Sequence, residues 1–146
     1  MMEIRRILYA TDFSEHSEPA AGYALGLARL TGAELHVLHV IGELADRRKK
    51  MLQPESFATF EKEIELLAVR EMERLCRNKF FGQVEFVSDI LIGIPFQEII
   101  RKAQEISAGL IVIGTHGRTG FEEVIIGSTA ERLVRHSKVP VLTVRG

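Results

Sequence analysis

The chain has no tryptophan, one cysteine and four prolines among its 146 residues. Cys76, being alone, excludes an intrachain disulfide and any multi-cysteine metal site. No apolar run approaches the roughly 18 residues that a membrane span needs. The opening Met1-Met2-Glu3-Ile4-Arg5-Arg6 lacks the apolar stretch of a secretion signal, so the reading is a cytoplasmic chain with no membrane partner. Charge of one sign is missing as well: 19 basic residues meet 20 acidic ones, for a formal net charge of −1, and no global field draws the chain to nucleic acid. Repeats and low-complexity segments are absent. What remains is an ordinary globular composition, 46% hydrophobic and 27% charged, long enough for one domain over residues 1–146 with a proper core.

Five short apolar runs alternate with helical patterns. The runs are Ile4–Ala10, Glu34–Ile41, Val84–Leu91, Leu110–Ile113 and Pro140–Val144. Leu110–Ile113 is continuously apolar, as in a strand covered on both faces. A first helix from about Ser17 to Leu30 is expected to turn Ala20, Tyr23, Ala24, Leu27 and Leu30 inward, with Gly32 as its stop. A second runs from Pro54 to about Lys79, with Phe57, Phe60, Ile64, Leu67 and Leu75 at helical spacing. Pro95 opens a third, striped by Phe96, Ile99, Ile100, Ala103 and Ile106. The fourth, from Ser128 to about His136, is expected to bury Ala130, Leu133 and Val134. Regular alternation of strand and helix predicts an α/β fold: an open parallel sheet with helices on both faces, three layers in all. Asp46-Arg47-Arg48-Lys49-Lys50 is a charge run read as a solvated loop.

In such sheets ligands sit beyond the carboxyl ends of the strands, where strand order reverses. Thr11-Asp12-Phe13-Ser14 follows the first run. The fourth is followed by Gly114-Thr115-His116-Gly117-Arg118-Thr119-Gly120, the most glycine-dense stretch of the chain. Glycines let backbone N–H groups turn toward one point and let an anion approach without meeting a Cβ. Gly127-Ser128-Thr129 then starts a helix whose free N–H groups and positive dipole end favour phosphate, and Arg118 adds a cation. Together these read as a phosphate cradle. Taken singly, each has a plainer reading: Ser128-Thr129-Ala130-Glu131 fits the capping box S-x-x-E, so Ser128 is also a candidate helix cap. Asp12 is equally an N-terminal cap for the segment that follows it, and His116 a turn residue. The Walker pattern and G-x-G-x-x-G are both absent. His16, His36, His39, His116 and His136 form no metal-ligand spacing, so no metal site and no catalytic residue are assigned. His36 and His39, on opposite faces of one strand, read as structural, and Cys76 as a buried, idle thiol.

Gly114-x2-Gly117-x9-Gly127-Ser128 resembles the signature G-x2-G-x9-G-[ST] of the universal stress protein family, in its ATP-binding branch. Ile7-Leu8-Tyr9-Ala10-Thr11-Asp12-Phe13-Ser14 is similar to that family's first strand and acidic turn, and Leu38-His39-Val40-Ile41 to its second strand. Gly93-Ile94-Pro95 resembles the start of its third helix, and Pro140-Val141-Leu142-Thr143-Val144 its last strand. The resemblance spans nearly the whole chain and is weakest from Gly42 to Gly82. It implies an adenine nucleotide α-hydrolase-like sheet of order 3-2-1-4-5, with Asp12 brought opposite Gly114–Gly120.

By the same resemblance, Ala10, Asp12 and Val40 flank adenine and ribose, and Ile113-Gly114 lies along the ribose. Thr115 and His116 belong to the same binding loop, while Gly117, Arg118, Thr119, Gly127, Ser128 and Thr129 hold phosphates. Mg²⁺ would arrive with the nucleotide. Two positions depart from the family pattern: Ala10 stands where some members have proline, and Gly120 where others carry a larger residue. The family also implies a homodimer through Val141, Leu142, Thr143 and Val144, and a sensor or regulator of stress responses acting on an unidentified protein partner. Left open are a slow ATPase, a nucleotide-free interaction module, and AMP or a cyclic nucleotide in place of ATP.

Overall fold

The computed structural model describes residues 2–42, 54–115 and 127–146, apart from the side chains of Pro54 and Phe57. The charge run Asp46–Lys50 lies outside them. Five strands, β1 (Arg6–Ala10), β2 (Glu34–Ile41), β3 (Phe86–Ile92), β4 (Leu110–Gly114) and β5 (Val141–Val144), form one parallel sheet in the order β3-β2-β1-β4-β5. The helices are α1 (Glu18–Thr31), α2 (Pro54–Lys79), α3 (Pro95–Glu105) and α4 (Ser128–His136), and a 3-10 turn, Glu15–Ser17, precedes α1.

Period-two alternation along the central strands decides the layers. Ile7, Tyr9, Leu35, Val37 and Val112 point to one face, where they pack with α1 and with Met72 and Cys76 of α2. Leu8, Leu38, Ile111 and Ile113 point to the other and meet Ile99 and Ala103 of α3 and Ala130 and Leu133 of α4. Sheet and flanking helices thus make the three layers that the alternation of elements predicts. The stripe on α3 holds: Ile99 and Ala103 are buried, with Phe96, Ile100 and Ile106 packed against them. The stop at Gly32 holds too, its φ of 73° closing α1 with an N–H bond to the Ala28 carbonyl at 2.9 Å.

Three inner faces differ from expectation. On α1 the sheet is met by Ala20, Ala21, Ala24 and Ala28, while Tyr23 and Leu30 are 58% and 82% exposed. Small side chains let the helix lie close to the strands, and the large ones are left outside. On α2 the buried positions are Ala68, Met72 and Cys76, with Leu75 beside them and Leu67 exposed. A helix of 26 residues is about 39 Å long, more than the strands can cover, so its first turns stand above the sheet. On α4, Ala130 and Leu133 are buried but Val134 is 55% exposed. Cys76 is buried as expected, and burial raises its thiol pKa.

Candidate functional site

The strand order reverses between β1 and β4. Ala10 pairs with Leu38 of β2 on one side and Ile113 of β4 on the other, so its carbonyl end faces the gap where the two crossovers part. A crevice of ≈ 1000 Å³ opens there.

The β1 wall is a turn held by a dense set of bonds. Thr11 N–H donates to the Leu38 carbonyl at 2.9 Å, and the Thr11 carbonyl accepts from His39 Nδ1 at 2.7 Å. Because a carbonyl only accepts, His39 carries its proton on Nδ1 here. Ser17 Oγ donates to the Ser14 carbonyl at 2.9 Å, so Thr11 Oγ1 is the donor in its 3.0 Å contact with Ser17 Oγ. Thr11 Oγ1 in turn accepts the Phe13 N–H at 3.0 Å. Tyr9 Oη donates to the Ser17 carbonyl from beneath at 2.9 Å, and burial raises the Tyr9 pKa. Phe13 has a φ of 65°, the left-handed region that a bulky side chain rarely adopts. Its ring lies 4.2 Å from that of His39, centroid to centroid. Strained residues of this kind gather at ligand clamps, where surrounding bonds over-determine them. Asp12 sits in this turn, its Oδ1 accepting the Ser14 N–H at 2.9 Å. The bond closes the turn, while the N-caps of the following 3-10 turn and of α1 are Ser14 and Ser17, so the helix-capping role read for Asp12 is not taken. Ser14 Oγ is buried without a hydrogen-bond partner among the described residues.

The β4 wall is joined to α4 directly. Thr115 N–H donates to the Val144 carbonyl at 2.9 Å, and the Thr115 carbonyl accepts the Gly127 N–H. That pair of bonds seats the start of α4 against the end of β4. Gly127, in extended conformation, is the N-cap, and no side chain among the described residues caps the helix. Ser128 is therefore the first helical residue, and the capping-box role expected of it is not taken. The start of α4, where helix N–H groups have no intrahelical partner, lines the crevice through Gly127, Ser128, Thr129 and Ala130. At α3, too, the N-cap is a residue without a capping side chain, Ile94, with Pro95 at the first position.

Ala10, Asp12, Val40, Ile113, Gly114, Thr115, Gly127, Ser128 and Thr129 all line this crevice. Of the other residues predicted for the site, His116, Gly117, Arg118, Thr119 and Gly120 lie outside the described residues. Val141, Leu142, Thr143 and Val144 form β5, which pairs with β4 at one edge of the sheet. Phe13, His39, Phe96 and Arg132 also line the crevice and were not singled out as site residues. For Arg132 a signal existed: it lies four residues beyond Ser128 and so on the same helix face. His39, adjacent to Val40 near the end of β2, had position but no pattern to mark it. His36, on the opposite face, bonds Glu34 Oε1 through Nε2 at 2.6 Å. No group of three or more metal-ligating side chains occurs among the described residues, and none of their helices is long and apolar enough to cross a membrane.

Residues 3–145 match the universal stress protein family. The universal stress protein MJ0577 of Methanocaldococcus jannaschii is 32% identical, over 97% of this chain and 94% of its own length. The solved structure of MJ0577 superposes with a TM-score of 0.88 at 30% identity, covering 99% of this chain and 98% of that one. A universal stress protein from Archaeoglobus fulgidus, solved in complex with dAMP, gives a TM-score of 0.60 at 25% identity over 99% of this chain and all of the other.

Proposed function

The chain belongs to the universal stress protein family, and from that premise we propose that it binds ATP and acts as a dimeric, cytoplasmic sensor or regulator in the stress response, with residues 1–146 as one domain. The carrying observation is the convergence at one switch-point crevice of an acidic turn, a strand end and a helix start without a capping side chain. The donor set fits an adenine nucleotide. Ala10 and Val40 offer apolar walls for a purine, and Asp12 a carboxylate for ribose hydroxyls. Ile113-Gly114 runs beside the sugar. Gly127, Ser128 and Thr129, with Gly117, Arg118 and Thr119 of the intervening loop, take the phosphates, flanked by Thr115, His116 and Gly120. The dAMP held by the Archaeoglobus fulgidus relative supports the choice of adenine.

The nucleotide supplies a compact polyanion, which the helix dipole and first-turn amides of α4 stabilise. Mg²⁺ accompanies it, bound mainly by phosphate oxygens. The dimer pairs β5 with its copy, which removes an exposed sheet edge. Regulation follows from differential affinity: a protein partner that reads the filled crevice differently from the empty one turns nucleotide level into signal.

The test is the small molecule that co-purifies with the protein, released by acid and identified by mass spectrometry, together with ATP titration of the wild type and Gly127→Val. The φ of −66° and ψ of 157° at Gly127 are open to valine, and far-UV circular dichroism checks that the variant keeps its fold. Its added side chain crowds the phosphate approach and is expected to lower ATP affinity at least about tenfold. A wild type that neither carries nor takes up any adenine nucleotide at millimolar concentration refutes the proposal.

A further inference from the structure

Among the described residues, Arg132 is the one guanidinium or ammonium group lining the crevice. Helical side chains lean toward the N-terminus, so Arg132 is carried back over the Ser128 turn. Its Cζ stands 5.2 Å from the centroid of the Phe96 ring, and the His136 ring lies 6.0 Å from the same ring. The aromatic face orients the cation without neutralising it. Arg135, one turn away, is tied to Glu131 at 3.2 Å, whereas no described carboxylate lies within ion-pair distance of Arg132. A braced cation that no described carboxylate neutralises, beside a helix start that no described side chain caps, is arranged to receive an extended anion.

The two sources of positive potential have different reach. The helix dipole and amides act only within the first turn. A longer phosphate chain needs a donor that reaches past that turn, and a guanidinium supplies two parallel N–H bonds to phosphate oxygens. We propose that Arg132, braced on Phe96, is a specificity-determining residue that biases the crevice toward adenine nucleotides with two or three phosphates over monophosphates. This inference rests on the reading of the crevice as a nucleotide site.

Calorimetric titration of ATP, ADP and AMP into the wild type, Arg132→Gln and Arg132→Lys tests it. The wild type is expected to bind ATP and ADP more tightly than AMP. Arg132→Gln is expected to lose about tenfold in ATP and ADP affinity and to keep AMP within about twofold. Arg132→Lys, a point charge without the planar fork, recovers part of the loss. Phe96→Leu keeps the wall apolar but removes the brace, and is expected to reduce the ratio of ATP to AMP affinity. Raised salt narrows the wild-type preference, since Arg132 is exposed to solvent. A wild type that favours AMP, or an Arg132→Gln that weakens all three nucleotides equally or none of them, overturns the role of Arg132 and leaves the nucleotide crevice standing. A wild type that binds none of the three overturns both.

Discussion

Replacing His39 by leucine removes the side-chain bond that ties the β1 turn to β2. His39 is 8% exposed, and its Nδ1–H is the donor to the Thr11 carbonyl at 2.7 Å. Leucine fills a similar volume but leaves that buried carbonyl without its partner, at a cost of about 1–3 kcal/mol. It also removes the ring that lies 4.2 Å from Phe13, a contact worth about 0.5–1.5 kcal/mol beyond its area. Together the loss is about 1.5–4.5 kcal/mol. At about 2.1 cal/mol/K per residue, the unfolding entropy makes each kcal/mol worth about 3 °C, so the melting temperature should fall by about 5–15 °C. His39→Asn restores an N–H near the position of Nδ1 and should recover the part of the loss that the Thr11 carbonyl bond contributes. Equilibrium urea unfolding at fixed protein concentration reads both variants, with the slope expected to stay constant. The reasoning is refuted if His39→Leu unfolds within about 0.5 kcal/mol of the wild type, or if asparagine does no better than leucine.

Strand β5 points the carbonyls of Pro140 and Val144 at β4, so alternation turns the Thr143 N–H outward. Thr143→Pro should therefore block pairing between copies without breaking the β4 ladder; sedimentation velocity is expected to show a dimer converted to monomer, and a dimer that survives rejects pairing through this edge. At high pH, burial raises the pKa of Cys76 above its ordinary 9.0 and of Tyr9 above 10.0. The unfolded chain then ionises first while the native one keeps its protons, so stability holds below pH 9.0 and declines above it. Urea midpoints across this range should fall, and the fall should be shallower in Cys76→Ala; an equal fall in that variant assigns the alkaline loss to other groups.

The large features of the fold were legible because they rest on strong periodic signals. Glu34–Ile41 is strand over the predicted range, and the stripe from Phe96 to Ile106 packs as read. Leu110–Ile113, continuously apolar, lies between two helical layers, as a run with no polar face must. The inner face of α1 was not legible: alanine adds little to a hydrophobic pattern, so Tyr23 and Leu30 outweighed Ala21 and Ala28 in the reading. On α2 the aromatic and aliphatic positions of the first turns looked like core, but a helix that overshoots its sheet leaves such residues on a rim. The site was half legible. Glycine spacing and the acidic turn marked its walls, whereas Phe13 and His39 act through a contact between two segments far apart in sequence. Ser128 matched a capping pattern one position too late, because the extended residue that opens the helix is Gly127.

The alanine floor beneath α1 has a consequence for how this architecture drifts over time. A layer spacing set by methyl groups has no slack: any larger residue at Ala20, Ala24 or Ala28 lifts the helix from the strands, at about 1–3 kcal/mol. The bulky outer positions of the same helix are free to vary. Divergence should then be fastest where the sequence looks most distinctive and slowest where it looks blandest, so distant kin will be recognised by their smallest side chains.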